Sequence, residues 1–351
     1  MAKNTIIGII LCVLTAILSI QLSNYIGISI LNLSKSPISP IIIAIIIGTI
    51  VGNSTKNLDI YNEGFSFSIK YLLKLGIIFL GIRLSISDIL IYGSQGLVVI
   101  IPCIAISIFI VKSLRNKLNV SENLSLLIAV GTSICGATAI VALAPAINAK
   151  KEEMSYAIAN ITVFGLLAMF LYPLVAYTVF NDNSLSVGLF LGTSIHETAQ
   201  VAGSGMIYSE QYQNPSVLDI STVIKLVRNT LMVMVIPLLA FLAKKDSKQN
   251  NSIKIASIFP YFIIGFLVFG MIRTLGDQFE YQIGSENWNS FIYFIKNFAE
   301  ILLVIAMSAI GYNTKINKFI KLGIKPFYLG FIAALSVGIV SLSVIYIFIF
   351  I

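Results

Sequence analysis

Charge is what this sequence has least of. Only 11% of its 351 residues are Asp, Glu, Lys or Arg, whereas a soluble chain carries roughly a quarter. Histidine and tryptophan each occur once, and cysteine three times. With 57% of residues apolar and a mean hydropathy of +0.94, too little charge remains to keep a folded chain of this length dispersed in water. Soluble enzyme, nucleic-acid binder and disordered protein are therefore all poor readings. Cys12, Cys103 and Cys135 stand far apart inside apolar runs, which gives neither a disulfide framework nor a CxxC metal pair. There is no P-loop, so motifs argue against an ATP-driven motor on this chain. No haem, flavin or nicotinamide pattern is visible either, and no cofactor or metal is expected.

What the sequence does have is apolar runs of the length a bilayer demands. A helix rising 1.5 Å per residue needs about 20 residues to cross roughly 30 Å of hydrocarbon. Eleven candidate spans follow: 5–22, 37–52, 66–83, 88–111, 124–148, 155–180, 185–206, 217–243, 253–272, 291–312 and 325–350. Residues 5–22 follow Lys3 as a signal peptide would, but no small-residue cleavage site is evident and more spans come after, so the run reads as a first helix. The fold class is all-α, a polytopic membrane protein with one integral membrane domain over 1–351. The net charge of +8 then reflects loops. Thirteen bases lie on the N-terminal side of the alternation: Lys3, Lys56, Lys112, Arg115, Lys117, Lys244, Lys245, Lys248, Lys254, Lys315, Lys318, Lys321 and Lys325. Five lie on the other: Lys35, Arg83, Lys150, Lys151 and Arg273. The bias predicts a protein of the cytoplasmic membrane with its N-terminus in the cytoplasm and its C-terminus outside.

Two internal likenesses point to a secondary transporter. Gly81–Gly93 resembles Gly311–Gly323, with Gly81, Ile86 and Gly93 matching Gly311, Ile316 and Gly323. This relates 66–111 to 291–350, and the spans involved cross in opposite senses, as in an inverted repeat. The second likeness pairs Gly131-Thr-Ser-Ile134 with Gly192-Thr-Ser-Ile195, each followed by a Pro-Leu-x-Ala stretch, and relates 124–180 to 185–243. By span count those two copies run parallel. Either one of them is re-entrant, or the likeness is a local motif.

Both GTSI copies are small and polar in mid-span, which lowers the cost of breaking a helix. Broken helices place main-chain ends at the bilayer midplane, where they bind ions; the bland alternative is close packing through small residues. The first copy offers Thr132, Ser133, Cys135 and Gly136. The second offers Thr193, Ser194, His196, Glu197 and Thr198, including the only histidine. His196 and Glu197 are candidates for proton or ion coupling, since ionisable groups are costly in hydrocarbon and His titrates near neutrality; His196 could also be a hydrogen-bonded structural residue. No HExxH zinc motif exists, because position 200 is Gln. Lys225, Arg228 and Asn229 sit near the middle of 217–243, with the two bases sharing one face at i,i+3. An anion between them would relieve their repulsion, and so would an ion pair with Glu197 or Glu300. Lys70 and Lys74 read as snorkelling bases, Lys296 and Glu300 as a pair at i,i+4, and Lys150 to Glu153 as a solvated loop.

Several of these stretches together carry a family resemblance. Leu72–Leu84, Gly131–Ile140, Gly192–Gly203 and Lys225–Asn229 resemble the YeiH-type sulfate exporter family of bacterial membrane proteins, in order along the whole chain. That family resembles in turn the larger group of bile-acid symporters, auxin efflux carriers and sodium/proton antiporters. The resemblance implies a panel domain and a core domain with crossing broken helices, moving by an elevator or rocking step. It also makes a homodimer one of the expectations, although no segment marks an interface. The expected function is a secondary transporter, an exporter by resemblance, for a small anion such as sulfate, sulfite or an organosulfonate, coupled to H+ or Na+. The alternatives are a cation/proton antiporter using Glu197, an intramembrane enzyme using His196 and Glu197 with Cys135, and a passive channel.

Overall fold

A computed structural model describes residues 3–30, 39–55, 57–243, 259–314 and 324–350. Among these residues the regular structure is helical and no strand occurs. Among the described residues seven helices are long and apolar enough to cross a membrane: Lys3–Asn24, Leu58–Arg83, Ile86–Leu114, Lys151–Phe180, Ser216–Phe241, Ser285–Asn313 and Ile324–Ile349. Many large apolar side chains on these helices point outward. Phe109 is 70% and Met234 73% exposed, an arrangement that suits lipid and would be costly in water.

Three expected spans are not single long helices. Residues 37–52 correspond to the 15-residue helix Pro40–Ser54. Residues 124–148 are divided into Glu122–Cys135 and Ala137–Ile147. Residues 185–206 are divided into Ser184–Ser194 and Thr198–Gln211. The 253–272 span begins among residues outside the described set and is helical over Phe262–Gln278. Residues 315–323, which hold most of the second copy of the Gly81–Gly93 likeness, lie outside it too. So do Lys35, Lys56, Lys244, Lys245, Lys248, Lys254, Lys315, Lys318 and Lys321.

Helix starts follow ordinary capping chemistry. Ser39 accepts the Ile41 amide at 3.3 Å ahead of Pro40, a residue suited to a first turn. Ser121 accepts the Leu124 amide at 3.3 Å, and Asn183 Oδ1 accepts the Ser186 amide at 2.9 Å. Glu153, expected in a solvated loop, accepts the Lys150 amide at 2.9 Å and so caps Lys151–Phe180.

The chain divides into two compact units. The first comprises 1–91, 205–219 and 261–316. Within it Pro40–Ser54 lies directly against Ser285–Asn313. A Cβ on Gly48 would stand 2.5 Å from the Ser308 carbonyl oxygen, and one on Gly311 2.5 Å from that of Ile45. Two main chains can approach so closely only where side chains are missing. Thr15 and Tyr312 share a hydrogen bond at 2.8 Å, and the Tyr312 ring stacks on Phe65 at 4.6 Å. The second unit comprises 92–204, 220–260 and 317–351. It holds both breaks, at Gly136 and at Ile195, together with Lys225 and Arg228.

Candidate functional site

The two GTSI stretches break in different ways. In the first, Gly131–Cys135 widens into a π-helical turn, and Gly136 takes φ 67, ψ −130 before the chain restarts at Ala137. Positive φ is accessible to glycine at little cost. In the second, the helix stops at Ser194, Ile195 is extended (φ −86, ψ 142), and the chain restarts at Thr198. The Glu197 amide donates to Gln200 Oε1 at 3.1 Å, capping the restarted helix. Gln200 Nε2 donates in turn to the Thr162 carbonyl at 3.3 Å.

The hydroxyls of the motifs turn back on their own helices. Ser133 Oγ donates to the Ala129 carbonyl at 2.7 Å, Thr193 Oγ1 to that of Leu189 at 2.7 Å, and Ser194 Oγ to that of Phe190 at 2.5 Å. Thr193 Oγ1 also meets Ser341 Oγ at 2.6 Å. Gly192 has a different use. A Cβ there would stand 2.6 Å from Ile224 Cβ, so its absence lets the segment carrying Lys225 come close.

Lys225 and Arg228, both 0% exposed, bind the main-chain ends that the breaks expose. Lys225 Nζ donates to the carbonyls of Ile134 at 2.9 Å, Ile195 at 3.1 Å and His196 at 2.5 Å. Arg228 Nε donates to Ser133 at 2.7 Å, Nη1 to Thr193 at 2.7 Å and to Ile195 at 2.9 Å, and Nη2 to Thr132. A helix that ends inside a protein leaves carbonyls without partners and a partial negative charge of about half a unit. Two cations at i,i+3 satisfy two such ends together. All three Lys225 donors and four of the five on Arg228 are used in this way. Among the described residues neither base makes an ion pair with a carboxylate. Glu300, considered above as a partner, is engaged elsewhere.

Around this cage several polar groups are left over. His196 is 1% exposed, and neither ring nitrogen has a well-formed hydrogen-bond partner. The Thr132 carbonyl faces the ring but is already bound by Arg228. Asn229 Nδ2 donates to Thr198 Oγ1 at 3.0 Å, while its Oδ1, also buried, has no partner. Glu197 is half-buried and reaches across to the other break. A Cβ on Gly136 would collide with its Cγ and lie 3.2 Å from its Oε1. The Cys135 thiol contacts Met232 Sδ at 3.4 Å. Thr132, Ser133, Cys135, Gly136, Thr193, Ser194, His196, Glu197, Thr198, Lys225, Arg228 and Asn229 are thus brought together at one crossover. The GTSI residues take part mainly through their carbonyls, and their hydroxyls look elsewhere.

Lys70 and Lys74 stand apart, exposed and over the rings of Tyr71 and Phe262. The sequence reading missed a second charged cluster, in the first unit. Arg83 Nε lies 2.5 Å from Asp219 Oδ1, its Nη1 2.9 Å from Glu300 Oε1, and its Nη2 donates to the Pro215 carbonyl at 3.2 Å. Glu300 therefore makes its ion pair with Arg83 and not with Lys296. The available signal was Asp219, a carboxylate inside an otherwise apolar span.

The family model described as "Conserved hypothetical protein 698" matches residues 7–330. A "UPF0324 membrane protein" of Fusobacterium nucleatum is 33% identical over 350 residues, covering 97% of each chain. One of Streptococcus agalactiae is 32% identical over 343 residues, and one of Clostridium tetani 30% identical over 357, again covering 97% of each chain. No solved structure matches.

Proposed function

The chain belongs to the UPF0324 family of membrane proteins, and within it we propose a secondary transporter for a small anion such as sulfate, sulfite or an organosulfonate. The observation that carries the reading is the cage of Lys225 and Arg228 at two broken helices. With the side chains ionised, the bases contribute two positive charges and Glu197 one negative. The two carbonyl ends contribute about −0.5 each and the two restarted ends about +0.5 each. The sum is about one positive charge, held at the depth where the chain interrupts its helices. Ions bind at such interruptions in transporters, and the excess charge favours an anion.

In this reading eleven segments cross the cytoplasmic membrane, the divided helices counting as one crossing each. The N-terminus is cytoplasmic, the two halves form an inverted repeat, and the relation to the YeiH-type exporters extends to the larger carrier group. The protein is no enzyme, and needs no cofactor. A second reading is favoured by Asn229 Oδ1, a buried acceptor without a donor: together with Glu197 it suits a cation, as in a cation/proton antiporter.

Purified protein in proteoliposomes decides between them. Saturable uptake of labelled sulfate, sulfite or methanesulfonate, driven by an imposed proton or sodium gradient and lost in Lys225→Ala and Arg228→Ala variants that still fold, is the expected result. Cation-dependent proton release with no anion movement would instead establish the antiporter.

A further inference from the structure

The Glu197 side chain lies against the other break, at Gly136 and the Ala137 amide. The donors of Lys225 and Arg228 are almost all committed to carbonyls. What the crossover still offers a negative charge is the ground beside Gly136, and there the chain has laid its own Glu197 side chain: a Cβ on Gly136 would strike its Cγ and lie 3.2 Å from its Oε1. The Ala137 amide, first of the restarted segment, faces the same carboxylate. The Glu197 amide is held by Gln200, while its carboxylate is turned to the Ala137 amide. Close by are buried polar atoms without partners, the two ring nitrogens of His196 and Asn229 Oδ1, the latter on the side chain that binds Thr198 at the start of a 14-residue helix.

We propose that the Glu197 carboxylate is a resident competitor of the transported anion: it holds the Gly136 position in the empty carrier and yields it to substrate on taking up a proton. This deepens the anion-carrier reading and rests on it. The charged and titratable groups facing Glu197 are Lys225 beside it, Arg228 and Cys135 behind Lys225, and His196 next in the chain. Protonating His196 would add a third positive charge next to two buried cations. Protonating Glu197 removes the one negative charge that competes with the anion. The balance is simple: one proton adds to the carboxylate to give a neutral acid, and one anion binds. A monovalent anion is then carried without net charge, and a divalent one with a single net negative charge.

The test uses the full chain with sulfate and methanesulfonate as probes, since neither titrates near neutral pH. Across the pH range in which Glu197 ionises, wild-type Kd should weaken about tenfold per pH unit, the slope of one linked proton. In weakly buffered solution wild type should take up one proton per anion bound. Glu197→Gln should lose the slope and bind at every pH as tightly as wild type does on the acid side of the Glu197 titration. Binding by wild type without proton uptake, or an unchanged slope in Glu197→Gln, overturns the proposal and leaves the anion carrier standing. If Glu197→Gln does not fold, proton uptake by wild type decides alone. If wild type binds neither probe, the carrier reading falls and this one with it.

Discussion

At the scale of single residues, Lys225 and Arg228 act first on carbonyls. A buried hydrogen bond to a charged group contributes about 1.5–3 kcal/mol, and removing one partner from a buried charged network costs about 3–5 kcal/mol. Arg228→Ala should therefore lower stability by at least ~3 kcal/mol, read as the shift of a denaturant or SDS unfolding curve. Arg228→Lys should recover only part of this, because an ammonium cannot span the carbonyls of Thr132, Ser133 and Thr193 as the guanidinium does. Ser133→Ala and Ser194→Ala delete bonds within single helices and should each cost about 1 kcal/mol or less in the same measurement. Gly136→Ala combines positive φ with a collision against Glu197 and should cost about 1–3 kcal/mol. If its unfolding curve matches wild type, that backbone geometry is not the native one.

At the scale of elements, the contact of Pro40–Ser54 with Ser285–Asn313 depends on glycine where main chain meets main chain. Gly311→Leu should push the pair apart at a cost of about 1–3 kcal/mol for overpacking, checked by the melting temperature of detergent-purified protein. A much larger leucine elsewhere on the lipid face, Ala-sized neighbours excluded, should leave that temperature unmoved. The long helices were legible because hydropathy averages over the same length a bilayer imposes, as in Ile86–Leu114 and Lys151–Phe180. The breaks were legible as composition, through Gly, Thr and Ser in mid-span. Their chemistry was not: that Ser133 and Thr193 turn their hydroxyls onto their own helices while their carbonyls face the bases depends on main-chain direction, which no side-chain pattern encodes. Arg83 read as a loop base for a related reason, since its partners Asp219 and Glu300 lie more than a hundred residues downstream.

At the scale of the whole molecule, the distribution of bases makes an orientation testable. Tyr281 is 99% exposed between two helices and belongs to the side predicted to be external. Tyr281→Cys should react in intact cells with a membrane-impermeant maleimide, and Lys117→Cys only after permeabilisation. The three native cysteines are buried, so they give a low background, and the reverse labelling pattern would invert the topology. The carbonyl cage has a further consequence. Its acceptors on Thr132, Ser133, Ile134, Thr193, Ile195 and His196 are groups that every amino acid carries. A mutational scan should thus score many of those positions as tolerant while Lys225 and Arg228, which bind their carbonyls, are not. What the side chains record of that framework is the pair Lys225 and Arg228 that binds it and the glycines Gly136 and Gly192 that make room for it.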